Sequence, residues 1–174
     1  PNGRNIYYIS FMHVFLKNKK IFFNNYKLKC SIGKRGISKN KKEGDKRTPS
    51  GNFIFKKVFY RKDRIPFIKT GLQRIVIKKD MGWCDDINSS KYNKLIRFPF
   101  KKRAEKLFRK DNSYNIIVTL DHNTNPIVKN KGSAIFFHLA KKKYSATQGC
   151  VALSKKDIII LIKNLKKNNK ITIF

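Results

Sequence analysis

Apolar positions fall in short runs separated by polar and turn-forming residues, a pattern of strands rather than of long helices. Runs at 6–16, 21–23, 52–55, 74–77, 114–120 and 133–137 are rich in Ile, Val, Phe and Tyr, which suit a pleated, half-buried surface. Each predicts a strand, and a last one is expected at 171–174. The run at 6–16 also resembles the apolar core of an export signal. Only Arg4 precedes it, however, and Lys17-Asn18-Lys19-Lys20 follows where small cleavage-site residues should stand, so it reads as the first strand.

Two stretches carry helical spacing. Residues 102–109 follow Pro99 and put Ala104, Leu107 and Phe108 on one side, predicting a short surface helix. Ser154 to Asp157 has the form of a capping box, after which Ile158, Ile159, Leu161, Ile162 and Leu165 recur at helical intervals until Asn168 and Asn169. Residues 33–51, basic and Gly-containing, are expected to form an ordered loop ending in a turn at Thr48-Pro49-Ser50-Gly51. With no internal repeat and no linker, the fold class expected is mainly β (α+β), one mixed-sheet or β-sandwich domain with a few short helices.

Composition sharpens this picture. The 174 residues suffice for one core, and apolar residues at 40% are spread along the whole length, which argues against disorder. Lys and Arg number 42 against 10 Asp and Glu, for a net charge of +32. Such a balance is the usual footprint of a polyanion binder. Here the cations recur in almost every block of ten alongside Asn and Ile, so they read as a bias of the whole chain rather than one patch. Anionic cell-envelope polymers are therefore the expected charged partners, with no specific nucleic acid. No apolar run reaches the ~20 residues of a membrane span. No Cys or His pair has the close spacing of zinc ligands, so neither metal nor other cofactor is expected.

The densest chemical signal lies at 132–153, where a strand delivers His138 and Cys150 arrives twelve residues later, after a basic loop. A thiol with a pKa of ~8.5 is mostly protonated at neutral pH and needs a base to attack a carbonyl. Gly149 lets the backbone approach a substrate closely, and the N–H groups of Gln148, Gly149 and Cys150 could converge on a developing oxyanion. Against this stands a plainer reading, since a lone Cys beside a Gly is commonly a small buried hydrophobe and a lone His a hydrogen-bonded structural residue.

Taken together, Thr147-Gln148-Gly149-Cys150, the preceding His138, and the segments beginning at Cys30, Gly82, Leu107 and Gly132 resemble the L,D-transpeptidase (YkuD-like) catalytic domain, in a branch of short stand-alone proteins. The resemblance runs from about Cys30 to the end. It implies a catalytic domain at 30–174 with residues 1–29 as an N-terminal strand region packed on it. It also implies peptidoglycan stem peptides as substrate, with Cys150 forming a thioester, His138 moving the proton, and the backbone at Gln148 and Gly149 receiving the oxyanion. The envelope location this implies, the periplasm, assumes an export signal upstream of Pro1; a cytosolic location stays open. The chain departs from the common family pattern in having Val151-Ala152 after the Cys where an apolar residue and Arg are usual, Leu139 after the His, and Gln148 before the Gly.

Several alternatives stand at this point. His122, in the turn Asp121-His122-Asn123, competes with His138 as base or supports the site with Asn123. Thr147, Ser133 and Asp85 are further candidates for support or substrate binding, Asp85 for a cationic amine. His13 falls outside the resembling region and reads as structural. Cys30 and Cys84 could pair in an oxidising compartment or remain buried thiols. Water in place of the acceptor amine would make the same Cys a carboxypeptidase or amidase, and a basic polyanion-binding protein without catalysis is the remaining reading. Oligomeric state is not legible.

Overall fold

The computed structural model describes residues 12–174, so the first part of the run at 6–16 lies outside the described residues and the rest enters β1 (His13–Lys17). β2 (Lys20–Phe23), β3 (Tyr26–Lys29), β4 (Ile37–Ser38), β5 (Thr48–Pro49) and the ten-residue β6 (Gly51–Tyr60) follow. Then come β7 (Gln73–Val76), β8 (Met81–Cys84), β9 (Leu95–Arg97), β10 (Ala104–Lys106), β11 (Ile116–Leu120), β12 (Phe136–Leu139) and β13 (Val151–Leu153). α1 (Lys155–Asn164) and β14 (Lys170–Ile173) complete the chain. The structure is thus mainly β with a mixed sheet, as expected.

The large sheet runs β13-β12-β11-β6-β14-β1-β2-β3, with β7 added alongside β6. Bridges from Ser31 to Ala152 and from Gly33 to Thr147 carry the chain after β3 back to the β13 end, so the sheet curls around its contents. Strand alternation sorts the side chains. Val14, Leu16, Val118, Phe137, Leu139, Val151 and Leu153 point inward and meet Ile158, Leu161 and Ile162 of α1 in the main core. Phe59, Ile117 and Phe136 point outward from β6, β11 and β12, where a three-stranded sheet, β10-β8-β9, covers them with Met81 and Trp83. Trp83 meets Phe59 and Phe136 edge-on, at 6.4 and 5.2 Å between centroids.

Three local expectations are corrected. Residues 102–109 are not a helix: Ala104, Glu105 and Lys106 pair antiparallel with Cys84, Trp83 and Gly82, and the Leu107 amide donates to Met81. Burial of Leu107 under the covering sheet outweighs the weak preference of so short a helix. Thr48 and Pro49 do not turn but bridge in parallel to Ile37 and Ser38. The strand expected at 133–137 begins only at Phe136, because Ala134 sits at φ 49°, outside strand geometry.

Cys30 and Cys84 are buried free thiols, and burial pushes the Cys30 thiol up to about 12. His13, partly buried, hydrogen-bonds Thr172 across β1 and β14 at 2.7 Å.

Candidate active site

Parallel pairing of β12 with β13 sets Phe137 opposite Val151 and His138 opposite Ala152. Since successive side chains alternate faces, His138 and Ala152 point to the side opposite the main core, and Cys150, one residue before β13, falls on that same side. His138 and Cys150 are thereby diagonal neighbours. Both line one cavity of about 640 Å³ at the seam between the large sheet and the β10 edge of the covering sheet.

Each partner is held. The His138 ring donates from Nδ1 to the Leu139 carbonyl at 2.9 Å, which leaves Nε2 with the lone pair. Tyr114 meets the ring edge-on at 5.4 Å and donates its hydroxyl to Glu105 at 2.6 Å. Burial pushes the imidazole below its ordinary value, with the positive charges of Arg109 and Lys141 acting in the same direction, so it is neutral at neutral pH. Cys150 Sγ donates to the Ala134 carbonyl at 3.0 Å and accepts from the Phe136 amide at 3.4 Å. Burial, then the charge of Glu105, pushes the thiol up to about 12, although the residue as a whole is partly exposed. The resting pair is therefore a thiol and a neutral imidazole.

The backbone at 147–150 is fixed from two sides. The Thr147 hydroxyl donates to the Cys150 carbonyl at 2.6 Å and accepts from the Gly149 amide at 3.1 Å. Behind it, the buried Thr48 hydroxyl accepts from the Gly33 amide at 2.9 Å and donates to the Gly149 carbonyl at 2.8 Å. In a trans peptide C=O and N–H point in opposite directions, so this anchor turns the Cys150 amide away from Thr48. Gly149 has φ 141°, and a Cβ there would lie 2.8 Å from the Arg47 carbonyl, so no other residue fits. Of the three amides considered from sequence, that of Gly149 is occupied by Thr147.

The cavity brings together Cys150, His138, Thr147, Gln148, Gly149, Ser133 and Asp85. Asp85 is tied to Arg103 at 3.0 Å. His122 and Asn123 do not line it. His122 donates from Nε2 to Lys131 at 3.0 Å, and the Asn123 side chain bonds Val128 and Gly132, so both pin the 123–132 loop that leads into β12.

Four residues escaped the sequence reading. Thr48 is one; its signal lay in Thr48-Pro49-Ser50-Gly51, read there as a turn. Asn93, buried, accepts from the Trp83 indole at 2.9 Å and the Ala134 amide at 3.1 Å, and donates to the carbonyls of His122 and Asn123. It holds Ala134 where that residue's carbonyl meets the thiol. Tyr114 and Glu105 are the others, and only the pairing of β10 with β8 brings Glu105 to the cavity.

The L,D-transpeptidase catalytic domain (YkuD) matches residues 10–173. The chain belongs to this family. Membership supports L,D-transpeptidase-type catalysis on peptidoglycan. No curated protein and no solved structure matches.

Proposed function

We propose that this L,D-transpeptidase-family protein is a cysteine acyltransferase that joins peptidoglycan stem peptides through a thioester on Cys150, in the periplasm or cell envelope. The observation that carries the reading is the placement of Cys150 and His138 as diagonal neighbours in one cavity, with His138 neutral and its Nε2 unoccupied.

In this reading the thiol swings from the Ala134 carbonyl toward Nε2. His138 takes its proton as sulfur attacks the scissile carbonyl carbon, and the oxygen that becomes negative is received by the amides of Cys150 and Gln148. When the C–N bond breaks, His138 gives the proton to the departing amine of the terminal D-amino acid, leaving the thioester. The amine of a second stem then attacks, passing its proton to His138. Sulfur departs with the bonding electrons and regains that proton. The carboxylates of Glu43, Asp85 and Glu105 face the cavity together with the cations of Lys41, Arg103, Arg109 and Lys141, a lining that suits a substrate bearing both ammonium and carboxylate groups.

Intact-protein mass spectrometry after mixing the protein with a tetrapeptide stem tests this. Wild type should gain the mass of the stem less its terminal residue, and an added amine stem should discharge it into a joined product. Cys150→Ala should gain nothing. Discharge by water alone would assign the same thiol to a hydrolase, and the absence of an adduct with any stem would refute acyl transfer on this substrate class.

A further inference from the structure

The covering sheet lies over only half of the large sheet's outer face, namely β6, β11 and β12. Over β14, β1 and β2 that face is open among the described residues. The register places Thr172, Phe15 and Phe22 in one row and Lys17 beside Lys20 in the next, with Phe174 directly after β14. Phe174 is 58% exposed and Phe15 40%, large values for side chains that alternate with fully buried Val14, Leu16, Ile171 and Ile173. The ten acidic residues of the chain all lie elsewhere, so the strands β1, β2, β3 and β14 carry lysines and no carboxylate. Here two exposed Phe side chains stand beside the lysines of these strands, with Asn52 next to Thr172 on the β6 side.

We propose that this open face is a docking surface for an anionic phospholipid bilayer, with Phe15 and Phe174 entering the headgroup region and the surrounding lysines holding lipid phosphates. Exposed aromatics among lysines gain from both parts of such an interface, the apolar boundary and the negative surface potential. A second copy of the chain does not suit the face, because pairing it with itself sets lysine against lysine. Single-stranded nucleic acid would need free ring faces for its bases. The rings are instead engaged with their neighbours: His13 stacks on Phe15 at 4.5 Å, Phe15 lies 6.2 Å from Phe174, and the Lys17 ammonium sits 5.7 Å from the Phe174 centroid. A soluble anionic polymer would satisfy the lysines but give no return for the exposed Phe side chains. The inference is independent of acyl transfer, and Cys150→Ala protein should bind as wild type does.

The test is co-sedimentation with vesicles of phosphatidylcholine alone or mixed with phosphatidylglycerol, at physiological salt. Wild type should bind the mixed vesicles and leave the neutral ones. A variant with Lys17, Lys20, Lys27 and Lys170 changed to Ser should lose roughly a hundredfold or more in partitioning. A control losing the same charge from another face, with Lys155, Lys156, Lys163 and Lys166 changed to Ser, should lose a few-fold at most. Phe15→Ser with Phe174→Ser should also release the protein, and all these side chains are exposed, so unchanged circular dichroism is expected. Equal loss in the two lysine variants would overturn the proposal in favour of net charge. So would undiminished vesicle binding by the Phe variant, or an aromatic-dependent affinity for an oligonucleotide in its place.

Discussion

At the scale of single residues, the proposed chemistry turns on a thiol and an imidazole that are both uncharged at rest. Burial dominates at each: it pushes Cys150 up to about 12 and His138 down. In the proposed mechanism protonating His138 removes the base, so the acid limb of kcat/KM should fall below the ordinary His value of about 6.5; a limb at or above that value would contradict the assignment. Stability follows the same sign. The unfolded chain takes up protons on His122 and His138 as pH falls through about 6.5, whereas the folded chain resists. The fold should therefore be less stable at pH ~5 than at pH ~8, with thermal unfolding as the measurement. Thr48 gives a sharper test. Thr48→Val keeps the shape but removes the hydroxyl that fixes the Gly149–Cys150 peptide, and losing one oxyanion donor typically costs ~10²- to 10³-fold. A loss of up to that size in kcat with KM little changed, restored by Thr48→Ser, is expected; a loss that Ser fails to restore would mark Thr48 as packing only.

At the scale of elements, what was legible depended on whether the signal was local. α1 was legible because its cap is a matter of neighbours: the Ser154 hydroxyl accepts from the Asp157 amide at 3.1 Å, and Ile158, Leu161 and Ile162 are buried. Ser154→Ala should cost about 1 kcal/mol in denaturant unfolding. The setting of His138 and Cys150 was legible in part, since both residues stand beside short apolar runs that became β12 and β13. Residues 102–109 were misread because Ala104, Leu107 and Phe108 also fit a helix, and nothing local announces the partner strand β8 twenty residues earlier. The consequence is measurable. A surface helix would tolerate Leu107→Ala, whereas a fully buried side chain beneath the covering sheet should lose about 2–5 kcal/mol. Thr48 and Asn93 were invisible for a related reason: each acts through bonds to residues distant in sequence, such as Gly149 and Ala134.

At the scale of the whole molecule, charge is the dominant fact. Forty-two cations face ten acids, and the ion pairs among the described residues, most of them exposed like Arg97 with Asp80 and Arg109 with Asp111, each use up a carboxylate. Most cations thus have like-charged neighbours. At 0.01 M salt the screening length is about 30 Å, comparable with the size of the molecule, so repulsion is summed over nearly all of them; at 0.15 M it is about 8 Å and only close neighbours interact. Salt also weakens the attractive pairs, but exposed pairs contribute little, about 0–1 kcal/mol each, and are few. Relief of repulsion should win. The thermal midpoint is expected to rise between 0.01 and 0.15 M sodium chloride, and a midpoint that falls would mean that the ion pairs, rather than the net charge, govern the stability of this fold.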